Sequence, residues 1–329
     1  MRRLDVAEQS ALTVLLAVEQ LRRRVPGGIG AYARGLLGGL VVATTEGDGT
    51  EVTLMAGRAP GGADDPLAAF GHPLHTSRLP GRLLTRAWDH GLLRAPAGFD
   101  IVHSVSLASP RLRRSSPGRL VVTVHDVAWR RHPEATTRRG ARWHEAALRQ
   151  AKRSDAALVV PSRFVAADLA AMGIADGRVT VVPSGADHLP EPDADATDVL
   201  LRKLGVSGEF LLTVGTLEPR KNVNRLVRAF AYVPLTEGYG LPPLEAMRVG
   251  IPTVVSNEVP SVHDLGAMGP APARIVDPLD IDDIARGLAA VLTDDALRAA
   301  LGSQGAAYAS ARTWREAARA HIALWRSLR

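Results

Sequence analysis

Two carboxylates, Glu237 and Glu245, bracket the run Gly238-Tyr239-Gly240-Leu241-Pro242-Pro243-Leu244. Two glycines, then paired prolines, then an apolar-periodic stretch predict a tight turn feeding a helix that opens near Leu241. Proline fits a first helical turn because its missing N–H has no intrahelical partner there. Such a helix start offers unpaired amides and the positive end of a dipole to an anion, phosphate being the usual one. One carboxylate for sugar hydroxyls and one for a ribose, set around that turn, would suit a nucleotide-sugar.

Three other groups could join this chemistry. Arg220 and Lys221 are adjacent cations beyond an apolar run, Phe210–Gly215, and suit a phosphate as planar fork and point charge; a solvated surface pair is the alternative. His125-Asp126 closes the β-branched run Leu120–Val124. Polar groups at the carboxyl end of a parallel strand are where open α/β sheets hold ligands, although a histidine there can also be a core or capping residue. Pro26-Gly27-Gly28-Ile29-Gly30 lies between a predicted strand, Val14–Val18, and a helical stretch, 31–37. It does not match the dinucleotide fingerprint, and it reads either as a tight connection or as a contact for an anion or sugar.

The elements that would position these groups alternate. Strands are predicted at 51–56, 99–104, 120–126, 156–160 and 179–182. Helices are predicted over 138–152, with a basic exposed face, and from a Ser162 cap to Gly173. Residues 57–81 read as loop, and the acidic, proline-containing stretch 187–198 as a linker. The pattern restarts with a strand at 210–215, an exit loop at 216–222, a helix at 223–230, the Glu237 turn, strands at 252–256 and 273–276, and helices from Asp280 onward. This predicts an α/β chain of two domains with parallel sheets facing a cleft.

Composition narrows the classes. Hydrophobic residues make up 46%, enough for a full core. There is no cysteine, which excludes disulfides, thiolate nucleophiles and cysteine-held zinc and fits a cytoplasmic location. No apolar run reaches a membrane span. The stretch 11–18 reads as a buried strand rather than a leader peptide, since Glu19 follows without a small-residue cleavage site. The net charge of +6 is concentrated in the first 190 residues. That predicts an anionic partner such as a lipid phosphate or the inner membrane face, or else an arginine-rich solvated surface. Aromatics are 4%, with no stacking platform, which argues against nucleic acid.

With these residues assembled, the chain resembles the family 4 glycosyltransferases of the GT-B fold. Glu237 to Glu245 looks like the family's Glu-x(7)-Glu signature, and Gly215-Thr216-Leu217-Glu218-Pro219-Arg220-Lys221-Asn222 is the second strong element. Pro26–Gly30, His125-Asp126 and Pro183-Ser184-Gly185 add weaker support. The resemblance implies two Rossmann-like domains: an acceptor-side domain over 1–188, a nucleotide-sugar domain over 189–312, and a C-terminal helix, 313–329, crossing back to the first. It implies retaining transfer from a nucleotide-diphosphate sugar, with no metal or other cofactor. GDP-mannose is the first expectation and a UDP-sugar the next, with a glycan or lipid-linked acceptor in polysaccharide biosynthesis. It assigns Arg220 and Lys221 to the β-phosphate, His125 to the transferred sugar, Glu237 to sugar hydroxyls and Glu245 to the ribose. Gly28, Gly30, Thr216, Gly238, Tyr239, Gly240 and Leu241 would complete the donor site. Many members have arginine where Thr216 stands, which weakens the cation clamp.

One departure is large. Only residues 222–236 separate Lys221 from Glu237, where the family usually has about two further strand-helix units. The shortening falls near 230–233. It predicts a reduced C-terminal sheet, an impaired nucleotide-base pocket and weak transfer. A catalytically inactive binding module and a nucleotide-sugar epimerase are the alternative readings.

Overall fold

The computed structural model describes residues 11–45, 47, 49–59, 65–189, 193–206, 232–263 and 272–329. Seven parallel strands form one sheet in the order β3-β2-β1-β4-β5-β6-β7. These are β1 (Leu12–Ala17), β2 (Thr50–Arg58), β3 (Leu74–Pro80), β4 (Ile101–Ser104), β5 (Arg119–Thr123), β6 (Ala157–Val160) and β7 (Val179–Val181). Val14 of β1 pairs with Val52 on one side and Ile101 on the other. The chain therefore builds outward in both directions from β1. The crevice beyond the carboxyl ends of β1 and β4 is the topological switch point where such sheets bind ligands.

Helices cover both faces. They are α1 (Gly27–Thr45), α2 (Gly81–Asp89), α3 (Ala128–Arg131), α4 (Arg138–Arg153) and α5 (Arg163–Ala171). Alternate residues of β1 serve opposite cores. Val14 and Leu16 pack with Leu36 and Leu40 of α1, while Leu15 and Ala17 share a core with Trp88 of α2, Leu148 of α4 and Leu169 of α5. A strand buried on both faces must be apolar throughout, which is why the run is legible in the sequence.

Beyond α6 (Ala194–Leu204) and residues 207–231, the chain continues with α7 (Leu241–Arg248), β8 (Val254–Ser256), α8 (Pro260–His263) and β9 (Arg274–Val276). It closes with α9 (Ile281–Thr293), α10 (Asp295–Ser310) and α11 (Trp314–Leu328). Strands β8 and β9 pair in parallel, and Tyr232 bridges to β8, its N–H donating to the Val254 carbonyl at 3.2 Å. The predicted elements at 210–215, 216–222 and 223–230 lie outside the described residues.

Helix α11 lies on α1 and completes the core of the first sheet with Trp314, Ile322 and Trp325. The close approach depends on glycine. A Cβ on Gly35 would overlap the Trp314 ring, and one on Gly39 would overlap the Trp314 carbonyl. A capping box, Thr313 with Glu316, fixes where α11 begins.

Three expectations need correction. Residues 57–81 are not all loop, because Leu74–Pro80 forms β3. As an edge strand, mostly exposed and carrying His75, Thr76 and Arg78, it lacks the apolar pattern that marks a buried one. The glycines at 27–30 are not a turn ahead of the helix, because α1 starts at Gly27 and holds Gly28 and Gly30 in its first turn. Pro26 sets that start, and a Cβ on Gly30 would overlap the Pro26 ring. The linker stretch ends at Asp193, whose carboxylate caps α6 through the Ala196 amide at 2.9 Å.

Candidate functional site

His125 follows β5 and reaches back toward the switch point. Its Nε2 lies 2.8 Å from the Val105 carbonyl, just past β4. A carbonyl can only accept, so Nε2 carries the proton and Nδ1 of the neutral ring is an acceptor. Burial pushes the His125 pKa below the ordinary imidazole value, against the opposing pulls of the Val105 carbonyl and the Asp126 carboxylate. His125 is thus neutral near pH 7, suited to hydrogen bonding with an uncharged hydroxyl. Asp126 accepts the Ala128 amide at 3.0 Å and shapes the turn into α3.

A buried polar cluster supports this histidine. The Tyr32 ring from α1 meets the His125 ring edge-on, with centroids 4.7 Å apart. The Tyr32 hydroxyl lies 2.9 Å from His321 Nε2 of α11 and 3.3 Å from the Thr123 hydroxyl. Thr123 in turn lies 2.9 Å from His103 Nε2, and the His103 and His321 rings stack at 5.4 Å. Burial pushes the His321 pKa down to about 4 and His103 well below its ordinary value, the latter also through repulsion from His321 and His125. Both rings are fully buried. Little in the chain's local patterns announces this cluster, because Tyr32, His103 and His321 sit singly among apolar neighbours.

The Glu237 loop docks directly on this turn. A Cβ on Gly238 would overlap the His125 carbonyl oxygen and crowd the Asp126 side chain. Glu237 accepts the Tyr232 hydroxyl at 2.7 Å. Gly240 caps α7 with φ +95°, a backbone that excludes ordinary side chains, and its carbonyl accepts Ser261 Oγ at 2.7 Å. Of the first three positions of α7, two are Pro242 and Pro243, which have no N–H. The helix-start amide left to face an anion is therefore that of Leu241, backed by the dipole.

Of the remaining candidates, Tyr239, Leu241 and Glu245 have structural partners. Tyr239 is buried and its hydroxyl donates to the Ser184 carbonyl at 3.0 Å. Leu241 packs at the boundary of two cores. The Trp314 indole donates to His188 Nδ1 at 3.2 Å, which leaves His188 Nε2 as the protonated nitrogen, 3.1 Å from Glu245 Oε1. Gly28 is exposed at the start of α1, with open space where a Cβ would be. Thr216, Arg220 and Lys221 lie outside the described residues. Among the described residues no cluster of His, Asp and Glu could hold a metal ion.

Comparisons with known proteins follow the same two halves. Residues 26–188 match the family profile described as Glycosyltransferase Family 4, and residues 232–308 match Glycosyl transferases group 1. An O-antigen chain mannosyltransferase B of Escherichia coli is 24% identical over 259 residues, covering 60% of this chain and 67% of that protein. A serotype-specific mannosyltransferase WbdA of Escherichia coli is 33% identical over 127 residues, and the match spans 15% of its length. Among solved structures, sucrose-phosphate synthase from Thermosynechococcus elongatus superposes with a TM-score of 0.73 at 18% identity, over 96% of this chain and 99% of that one. Anabaena HepE in complex with UDP and glucose gives 0.65 at 16% identity, over 96% and 99%. At these identities the superpositions establish the two-domain GT-B fold.

Proposed function

We propose that this chain, which belongs to the family 4 type of GT-B glycosyltransferases, moves a hexose from a nucleotide-diphosphate sugar to a glycan or lipid-linked acceptor with retention at the anomeric carbon. The observation that carries this reading is the seating of Gly238 on the His125 turn. It brings the polar group at the carboxyl edge of the first sheet together with the carboxylate that opens the second half's signature. In this reading neutral His125 accepts a hydrogen bond from a donor-sugar hydroxyl through Nδ1, and Glu237 accepts another. Arg220 and Lys221, with the Leu241 amide and the α7 dipole, draw off the charge that develops on the diphosphate. The anomeric C–O bond to the β-phosphate breaks and the acceptor oxygen bonds to the same face. The acceptor's proton goes to the leaving phosphate. Gly28 and Gly30 open α1, whose dipole adds to the same field.

GDP-mannose is the first donor to test, because the Escherichia coli relatives are named mannosyltransferases. A UDP-sugar comes second, because HepE was solved with UDP and glucose. The basic outer face of α4, with Arg138, Arg139, Arg142, Arg149, Lys152 and Arg153 all exposed, suits an anionic membrane surface holding a lipid-linked acceptor. Flotation with liposomes of rising anionic lipid content tests that part, and binding indifferent to lipid charge would count against it. The core test is donor turnover. Glu237→Ala and Lys221→Ala should each abolish transfer while the circular dichroism spectrum is kept, and near-wild-type turnover in either refutes the assignment.

A further inference from the structure

Ser162 is fully buried, and its hydroxyl is bonded in two directions. It accepts the Val165 amide at 3.2 Å, which caps α5. It donates to the Gly238 carbonyl at 2.8 Å. The cap belongs to the first half of the chain and the carbonyl belongs to the Glu237 loop. On its other side, Gly238 rests on the His125 carbonyl. The loop is therefore held between the backbone of the His125 turn and a directed hydrogen bond from Ser162.

We propose that Ser162 is a positioning residue that holds the Glu237 loop in register over His125, independently of its role as a helix cap. The proposal rests on the reading of Glu237 as a sugar contact only for its effect on transfer; the latch itself is a geometric claim. A hydroxyl is suited to both tasks because it has one proton to donate and lone pairs to accept. Its oxygen takes the Val165 N–H while its proton goes to Gly238. Loss of that proton leaves the Gly238 carbonyl buried and without this donor, so the loop has a reason to move.

The two roles separate by substitution. Glycine is tolerated at an N-cap nearly as well as serine, but it cannot donate. Threonine keeps both functions. On the full chain, amide hydrogen exchange should speed up about ten-fold at Gly238–Gly240 in Ser162→Gly and stay within about two-fold in Ser162→Thr, with the amides of α5 unchanged in both. Turnover of GDP-mannose or UDP-glucose should fall about ten-fold in kcat for Ser162→Gly and recover in Ser162→Thr. Unchanged exchange at Gly238–Gly240 in Ser162→Gly overturns the latch, as does failure of Ser162→Thr to restore protection. Faster exchange with unaltered turnover supports the latch and counts instead against Glu237 as a sugar contact.

Discussion

The two halves of the molecule hold their share of the site by different means. His125 is backed by a seven-stranded sheet with helices on both faces, and by Tyr32, Thr123 and His321 drawn from α1, β5 and α11. Glu237 hangs on directed contacts: the Tyr232 hydroxyl, the seat of Gly238 on His125, and the Ser162 bond. Among the described residues its own sheet has two strands and the Tyr232 bridge. The first half should therefore fail globally when its core is cut. The second should fail locally, in catalysis, with little change in melting.

The largest effect should come from the shared helix. Trp325 is fully buried beside His103 and His321. Trp325→Ala is expected to cost about 3–5 kcal/mol, a large share of a typical domain's stability, read as a lowered denaturation midpoint. Acid should act on the same place. The native state keeps His321 neutral down to about pH 4, whereas in the unfolded chain it takes its proton near pH 6.5. The unfolded state binds more protons across that window, so stability is full above it and falls as pH drops through it. His321 alone should remove about 3 kcal/mol by pH 4. Denaturant titrations at pH 7.5, 5.5 and 4.5 should follow that slope, and His321→Gln should flatten it.

Smaller effects should appear in turnover alone. Gly238→Ala forces a Cβ into the His125 carbonyl and should reduce kcat on the order of 100-fold by displacing Glu237. Tyr232→Phe removes one hydrogen bond to the Glu237 carboxylate and should reduce it about ten-fold. A change of more than about 1 kcal/mol in stability for either variant would erase the contrast between the halves.

What the sequence made legible follows the same division. Strands buried on both faces announce themselves as apolar runs, as at Leu12–Ala17, and Ser162 is readable as a cap from its place before a helical period. The Glu237 turn is readable from its glycines and prolines. Strand β3 is not, because an exposed edge carries no burial pattern. Nor is the tie between Tyr32 and His321, which depends on a crossing helix admitted by Gly35 and Gly39. Long-range contacts that rest on a missing side chain leave no local signature. The second bond of Ser162 was hidden for a related reason, since a cap explains the residue fully until the Glu237 loop is seen beside it.

The claim that His125 and Glu237 face one sugar is tested most directly by a double-mutant cycle on donor affinity. Isothermal titration with GDP-mannose and UDP-glucose would compare the wild type, His125→Ala, Glu237→Gln and the double variant. At least one donor should bind the wild type, each single variant should lose about ten-fold, and the double variant should be scarcely weaker than the singles. Losses that multiply, or no binding of either donor to the wild type, would contradict it.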